Sequence, residues 1–213
     1  EILSADRWII GRDTRESGPA LSEAIMSAIR RNGLTAVDTG VIPTPAVAYL
    51  SNIENSGGVV VSASHNPWTD NGVKIFAPGG RKLRDEEQSM IEKRLNELLA
   101  GPPATVQQSF EPTQHADPTD AWINSIVDAL ENRTLEGAHV VVDCANGSAS
   151  HIAEPLFRQL GARVDIINNE PDGRNINQGC GSTNPQMLAE IVKSSRADLG
   201  LALDGDADRL IAV

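Results

Sequence analysis

Short apolar runs alternate with amphipathic helical patterns along the whole chain. Apolar runs of strand length cover residues 8–10, 34–37, 57–61, 140–142, 164–167 and 199–203. Apolar residues recur at helical spacing over residues 17–31, 43–50, 85–99, 119–130, 148–160 and 185–194. An alternating order of strands and helices is typical of parallel sheets with right-handed crossovers. The sequence therefore predicts an α/β protein of three-layer α/β/α units with mixed, mostly parallel sheets.

The alternation is interrupted once. Residues 101–118 are rich in Pro, Gln and Thr, which favours a loop or linker. The strand pattern restarts at Ala138. We place a domain boundary near residues 134–137, which predicts a first domain over 1–134 and a second over 135–213.

Composition narrows the class of partners. Of the 213 residues, 40% are hydrophobic but only 3% are aromatic, so the cores must be built from Val, Ile, Leu and Ala. The net charge of −11 argues against nucleic-acid and anionic-membrane partners, which require a basic surface. No apolar run approaches the roughly 20 residues of a membrane span. The cysteines, Cys144 and Cys180, lack metal-site spacing and favour a reduced pair in a cytoplasmic protein.

Candidate chemistry follows the third predicted strand. We call residues 62–67, Ser-Ala-Ser-His-Asn-Pro, the serine loop. It lies where active sites of open parallel sheets gather, at the carboxyl end of a strand. Ser64 could act as a nucleophile or carry a phosphoryl group, and Lys74 supplies a cation nearby. A polar turn whose side chains bond only to backbone is an equally physical interpretation at this stage.

A second candidate follows the last predicted strand. We call residues 204–209, Asp-Gly-Asp-Ala-Asp-Arg, the metal loop. Carboxylates at alternating positions can converge on one hard cation, whereas crowding them without a cation is costly. An EF-hand is excluded because Arg209 stands where that loop needs glycine. A solvated acidic turn is the alternative to a metal site. Mg²⁺ is favoured over Ca²⁺ if a phosphate supplies a further ligand. One Mg²⁺ ion would then offset the charge of a phosphorylated Ser64 as well as that of the three carboxylates.

Two further polar stretches are ambiguous. Residues 171–184 connect a strand to a helix and predict either a surface loop or the lining of a cleft. Arg12 and Arg15 follow the first strand, where they could contact an anion or pair with local carboxylates.

The serine loop and the metal loop resemble those of the α-D-phosphohexomutases, which read T/S-A-S-H-N-P and D-G-D-G/A-D-R. Further segments that resemble the family are residues 11–15, 38–40, 43–45, 71–74 and 143–147. The resemblance runs over essentially the whole chain in the expected order. Within the family, residues 143–147, 173–177 and 180–183 are most similar to the bacterial phosphoglucosamine mutases.

The resemblance implies a mechanism. The implied catalytic residues are Ser64, His65, Lys74 and Arg209, and the implied Mg²⁺ ligands are Ser64, Asp204, Asp206 and Asp208. Phosphorylated Ser64 would donate to a hexosamine 6-phosphate, and the bound 1,6-bisphosphate would reorient and return its other phosphoryl group. Arg209 would stabilise transferring charge, Lys74 would act as general acid or base, and His65 would have a weak supporting role. The expected partner is a phosphosugar, feeding UDP-N-acetylglucosamine and cell-wall synthesis in the cytoplasm.

The resemblance covers only the first two of the family's four domains. It therefore implies that this chain alone is nearly inactive as a mutase, because substrate positioning would be lost. Phosphomannomutase or phosphoglucomutase activity is the alternative among enzymes, and a non-catalytic magnesium- or phosphate-binding module is the alternative outside them. A homodimer of the full-length parent also stays open.

Overall fold

The computed structural model describes residues 3–101 and 114–213. The strands are β1 (Arg7–Arg12), β2 (Thr35–Val41), β3 (Gly57–Val61), β4 (Val73–Ala77), β5 (Arg81–Lys82), β6 (Gln114–His115), β7 (His139–Asp143), β8 (Arg163–Ile167), β9 (Leu199–Leu203) and β10 (Leu210–Ala212). The helices are α1 (Gly18–Arg31), α2 (Thr44–Ile53), α3 (Asp85–Leu99), α4 (Thr119–Ala129), α5 (Ala153–Gln159) and α6 (Gln186–Ser195). Most of the predicted linker, residues 102–113, lies outside the described residues.

The first sheet has six strands in the order β5-β4-β3-β1-β2-β6. β1 lies between β3 and β2 and is parallel to both. β4 runs antiparallel to β3, with Lys74 opposite Val60. Because β4 begins where β3 ends, this pairing brings Lys74 close to the serine loop.

The second sheet has four strands in the order β10-β9-β7-β8. β7 is parallel to β8 and β9, and β10 returns antiparallel to β9. The metal loop is the tight connection between β9 and β10. The predicted fold class is confirmed, with two α/β units whose mixed sheets are mostly parallel.

Aliphatic residues form the cores, as the composition predicts. Val60 and Val61 of β3 and Val141 and Val142 of β7 are fully buried, as expected for central strands covered by helices on both faces. Both cysteines are free and buried in the second domain. Burial, reinforced by the charge of Asp143, raises the thiol pKa of Cys144 and of Cys180 to about 12.

The start of one helix differs from its prediction, and the predicted domain boundary lies near a region where the two units are in contact. The predicted helix over 148–160 is wrong at its start, because α5 begins at Ala153 and the residues before it form tight turns, in which the Ser150 N–H donates to the Gly147 carbonyl at 3.1 Å and the Ile152 N–H to the Ala149 carbonyl at 2.9 Å. Ile123 of α4 packs in the same buried cluster as Ile9 of β1 and Ile152, which precedes α5. Because α4 contacts both units, the domain boundary near residues 134–137 stays a prediction.

None of the helices within residues 3–101 and 114–213 has both the length and the apolar character that a membrane crossing requires.

Candidate active site

The serine loop and the metal loop meet where the two domains face each other. The Ser64 hydroxyl donates to Asp204 Oδ2 at 2.5 Å, although 140 residues separate the two along the chain. Ser64 is 6% exposed and Asp204 is fully buried. Two candidates that the sequence places in different domains therefore form one constellation.

Backbone geometry aims the Ser64 side chain. The Ser62 N–H donates to the Gly72 carbonyl at 2.9 Å, which ties the loop to the start of β4. The Ser64 N–H donates to Ser62 Oγ at 2.9 Å. Ser64 has a φ of +53°, in the left-handed region that residues other than glycine rarely adopt. The loop thus holds Ser64 in an uncommon conformation, with its hydroxyl turned toward the second domain.

The Arg15 side chain binds the backbone of the serine loop. Its side chain is fully buried and pairs with the equally buried Asp13. Its second amino group donates to the carbonyls of Ser64 and Asn66, at 3.1 and 2.7 Å. Burial raises the pKa of Asp13 even though the Arg15 charge opposes the shift. Of the two alternatives for the arginines, the structure shows carboxylate pairing, and Arg12 likewise binds Asp38 at 2.8 Å.

The metal loop brings its three carboxylates together. Each of its aspartates offers one carboxylate oxygen, and these three oxygens lie within 4.8 Å of one another; the residues are Asp204, Asp206 and Asp208. Asp206 Oδ1 is buried and has no hydrogen-bond partner among the described residues. Burial raises the pKa of Asp204, the Ser64 hydrogen bond opposes this, and repulsion by Asp206 adds to it. An orphaned buried oxygen within a cluster of hard carboxylate donors fits a divalent cation such as Mg²⁺.

Lys74 reaches the same cluster from β4. Its Nζ donates to Asp206 Oδ2 at 2.6 Å and to Asp208 Oδ2 at 2.7 Å. Partial burial lowers the pKa of Lys74, but the hydrogen bonds to the two carboxylates outweigh it, and the net pKa is raised. The two carboxylates therefore hold Lys74 in its protonated, positively charged form.

Arg209 and His65 lie at the open edge of the site. Arg209 Nη1 donates to His65 Nδ1 at 2.9 Å, so His65 accepts through this nitrogen. Half of the Arg209 side chain is exposed. The contact turns a cation from the metal loop toward the serine loop.

Thr44 is a site residue that sequence reasoning missed. Its hydroxyl donates to Asp206 Oδ2, and its N–H donates to the Asp206 carbonyl at 2.9 Å. It opens α2, so the Asp206 carboxylate faces a helix N-terminus, which favours negative charge. The available signal was the family-like segment 43–45, but nothing in that segment shows which distant carboxylate a threonine will bind.

The stretch over 171–184 lies against the first domain. Arg174 binds Glu16 through two hydrogen bonds of 2.8 and 2.9 Å. Its guanidinium carbon lies 5.2 Å from the centroid of the Trp68 ring, just after the serine loop. This pair crosses the domain interface at the surface, so part of the stretch contacts the other domain rather than solvent alone.

Gly205 permits the close approach of these loops. A Cβ at this position would lie 2.6 Å from Ile176 Cδ1, 2.8 Å from the Ser64 carbonyl oxygen and 2.9 Å from Asn177 Nδ2. All three distances are shorter than real Cβ contacts, so any side chain would push the loops apart.

We expect Gly205→Ala to destabilise the chain by about 1–3 kcal/mol, the usual cost of overpacking. It should also weaken Mg²⁺ binding, because the Cβ displaces the backbone between Asp204 and Asp206. Urea unfolding and Mg²⁺ titration by calorimetry measure the two effects. Gly101→Ala is the control, since a Cβ there meets its nearest atom at 3.4 Å. Unchanged stability and affinity in Gly205→Ala would contradict the packing argument.

Comparison with known proteins agrees with the geometry. The family model "Phosphoglucomutase/phosphomannomutase, alpha/beta/alpha domain I" matches residues 2–100, and the model for domain II matches residues 120–213. The chain is 47% identical to a phosphoglucosamine mutase of Thermobifida fusca over 97% of its own length, and 45% identical to that of Clavibacter michiganensis over its full length. These alignments cover 46% and 49% of the relatives.

A solved structure gives the same result in three dimensions. The phosphoglucomutase/phosphomannomutase family protein of Burkholderia thailandensis superposes with a TM-score of 0.76 at 28% identity. The match covers 98% of this chain and 46% of that one, so the chain spans about half the length of the proteins that it matches. Since the two domain models together account for nearly all of the sequence, the chain belongs to the phosphoglucomutase/phosphomannomutase family and contains its first and second α/β/α domains.

Proposed function

We propose that Ser64 is the phosphoryl carrier of a phosphoglucosamine mutase, and that this chain supplies the phosphoryl-accepting half of its active site. The observation that carries the proposal is the 2.5 Å contact between the Ser64 hydroxyl and Asp204 Oδ2, one member of a three-carboxylate cluster. A polar turn that bonds only to local backbone would not direct its hydroxyl at a carboxylate of another domain.

The donor set suits Mg²⁺. Asp204, Asp206 and Asp208 would hold the ion, together with an oxygen of the phosphorylated Ser64. When bound, Mg²⁺ neutralises charge on the phosphoryl group as it is transferred.

Side chains around Ser64 accept and donate the protons of the reaction and stabilise its charge. As the Ser64 oxygen bonds to phosphorus, its proton passes to Asp204 Oδ2, which already accepts it as a hydrogen bond. The bond from phosphorus to the sugar oxygen breaks, and that oxygen takes a proton from Lys74, whose ammonium group lies at the carboxylate cluster. Arg209, oriented by His65, stabilises charge on the transferring group. The products are phosphoserine and a sugar monophosphate.

The curated relatives favour glucosamine phosphate as the substrate. The relatives compared above, at 47% and 45% identity, are phosphoglucosamine mutases. The parent reaction that we propose interconverts glucosamine 6-phosphate and glucosamine 1-phosphate through a 1,6-bisphosphate, and so feeds UDP-N-acetylglucosamine and cell-wall synthesis. A cytoplasmic location, a homodimer of the parent, and the near-inactivity of this chain alone stay predictions.

Two measurements test the proposal. A protein of the relatives' length that carries this segment is assayed on glucosamine 6-phosphate, mannose 1-phosphate and glucose 1-phosphate, and should turn over the glucosamine substrate fastest. Equal rates on all three would sink the glucosamine assignment. Intact mass after incubation with glucose 1,6-bisphosphate and Mg²⁺ should show one added phosphoryl group on Ser64. A protein that gains none would instead fit a non-catalytic metal- or phosphate-binding module.

Lys74 gives a separate prediction about the cation. Because its Nζ binds carboxylate oxygens of Asp206 and Asp208, it competes with a metal ion for their charge. We expect Lys74→Met to tighten Mg²⁺ binding about tenfold. This factor corresponds to only part of the Coulomb energy of such a pair, because one-third of the Lys74 side chain is exposed and solvent screens its charge. Phosphoryl transfer should slow at the same time, because the proton donor is lost.

Calorimetric Mg²⁺ titration of Lys74→Met and of Lys82→Met measures this effect. Lys82 is exposed on β5, and its replacement should leave the affinity unchanged. Weaker Mg²⁺ binding in Lys74→Met would show that Lys74 supports the metal site rather than competing with the ion.

A further inference from the structure

Asn177 reaches across the domain interface to the backbone of the serine loop. Its Nδ2 donates to the Ser64 carbonyl at 2.9 Å and to the Asn66 carbonyl at 3.1 Å. Both acceptors are carbonyl oxygens, so only the amide nitrogen of this side chain can face them. Asn177 is 9% exposed, so water offers its amide little competition for these two bonds.

The second domain fixes Asn177 in place. Its N–H donates to the Ala145 carbonyl at 2.9 Å, which ties it to the loop that follows β7. Its φ is +58°, and asparagine is among the few residues besides glycine that adopt this left-handed conformation readily. Gly205 of the metal loop lies directly beside the Asn177 amide. The side chain is thus anchored to the domain that carries the three carboxylates.

Arg15 and Asn177 donate to the same two carbonyls, but they belong to different domains. Arg15 belongs to the first domain, as the serine loop does, so its hydrogen bonds hold the loop whatever the angle between the domains. Asn177 belongs to the second domain, so its bonds fix the serine loop relative to the metal loop. Without Asn177, the backbone of Ser64 would be tied to its own domain alone.

We propose that Asn177 is a positioning residue that holds the Ser64 backbone in register with Asp204, so that the hydroxyl meets the metal loop in the geometry for phosphoryl transfer. The role in phosphoryl transfer rests on the function proposed above. The two hydrogen bonds from Asn177 to the loop carbonyls, which we call the clamp, are a property of the fold and do not depend on that function. Misplacing a reacting group by about 1 Å can cost a factor on the order of 10² in rate. Loss of the two hydrogen bonds that position this backbone can therefore slow phosphoryl transfer.

The test uses variants that separate the side chain from the backbone. Asn177→Gly keeps the left-handed conformation and removes the amide, while Asn177→Asp keeps the shape and replaces the N–H donors by an oxygen. Thr14→Val is the matched control. It removes another hydrogen bond across the domain interface, from Thr14 Oγ1 to the Asn146 carbonyl at 2.6 Å, that does not involve the serine loop.

The first measurement is hydrogen exchange of the Ser64 and Asn66 amides, which are bonded within the loop to Ser62 Oγ and the Ala63 carbonyl. We expect both Asn177 variants to exchange these amides at least about tenfold faster than the unmodified chain, with the core of β7 unchanged and Thr14→Val unaffected. Equal exchange in the Asn177 variants and the control would overturn the clamp.

The second measurement is the rate at which Ser64 gains a phosphoryl group from glucose 1,6-bisphosphate in the presence of Mg²⁺, in a protein of the relatives' length that carries this segment. We expect a decrease of about 10- to 100-fold in Asn177→Gly, with Mg²⁺ affinity within about threefold of the unmodified chain. A purely structural role would lower thermal stability without this split between rate and affinity. An unchanged rate would overturn the catalytic role. If that longer protein without the substitution gains no phosphoryl group, the proposed function fails, while hydrogen exchange still decides the clamp.

Discussion

Replacing Ser64 with alanine should lower mutase turnover by a factor on the order of 10³ to 10⁶ in a full-length enzyme that carries this segment, the range seen when a nucleophile is removed. No other described hydroxyl both faces Asp204 Oδ2 and lies in the serine loop, so none can take over the role proposed for Ser64. The Mg²⁺ affinity of the unphosphorylated protein should change only a few-fold, because the variant keeps all three carboxylates.

A coupled mutase assay and Mg²⁺ calorimetry on the same preparation measure both effects. Ser194→Ala is the matched control, since Ser194 is exposed on α6 and its hydroxyl bonds only to its own helix. Retention of more than about a tenth of the activity in Ser64→Ala would show that the phosphoryl group travels by another route. Loss of Mg²⁺ binding would show instead that the Ser64 hydroxyl organises the metal loop.

Removal of the Arg15 guanidinium should produce the largest loss of stability. Arg15→Met leaves Asp13 as a buried carboxylate without its cation and frees the carbonyls of Ser64 and Asn66 from one donor each. Breaking a buried ion pair from one side costs about 3–5 kcal/mol. Urea unfolding should show this loss, whereas Arg163→Met, at an exposed position on β8, should stay within about 0.5 kcal/mol.

The pH dependence of Arg15→Met follows from Asp13. Burial already raises the pKa of Asp13 above its ordinary value, and loss of the Arg15 charge raises it further. A raised folded-state pKa favours the protonated form, so stability is fully present below the unfolded pKa of about 4 and is lost as the pH rises through the folded pKa. The variant should therefore be destabilised less at pH 5 than at pH 8. Asp13→Asn added to Arg15→Met should recover part of the loss, and strictly additive losses would contradict the pairing.

Much of the fold could be predicted because local pattern and burial agree. The run Gly57–Val61 is apolar on both faces and forms the central strand β3, and the amphipathic pattern of residues 85–99 forms α3 within the predicted bounds. The alternating carboxylates after β9 converge as their spacing predicts. In these cases the physical cause lies within a few neighbouring residues, so the sequence carries it.

What the sequence could not predict depends on the partners of short segments. β4 has only five residues, with exposed Val73 and charged Lys74 at its start, so its strand character comes from pairing with β3. The predicted helix start at 148 is wrong because residues 148–152 form tight turns, and the apolar spacing of the segment does not distinguish these from a helix. The position of Asn177 on the Ser64 carbonyl follows from the docking of two domains, which no local pattern encodes.

The left-handed backbone at Ser64 also decides which hydroxyl-bearing residue can occupy the position. Threonine has the same nucleophilic oxygen, but its branched Cβ makes a φ of +53° a severe outlier. A change from serine to threonine, mild by chemical similarity, would rotate the loop before it altered the chemistry. The backbone conformation at Ser64 therefore favours serine over threonine at this position, although both residues carry a hydroxyl.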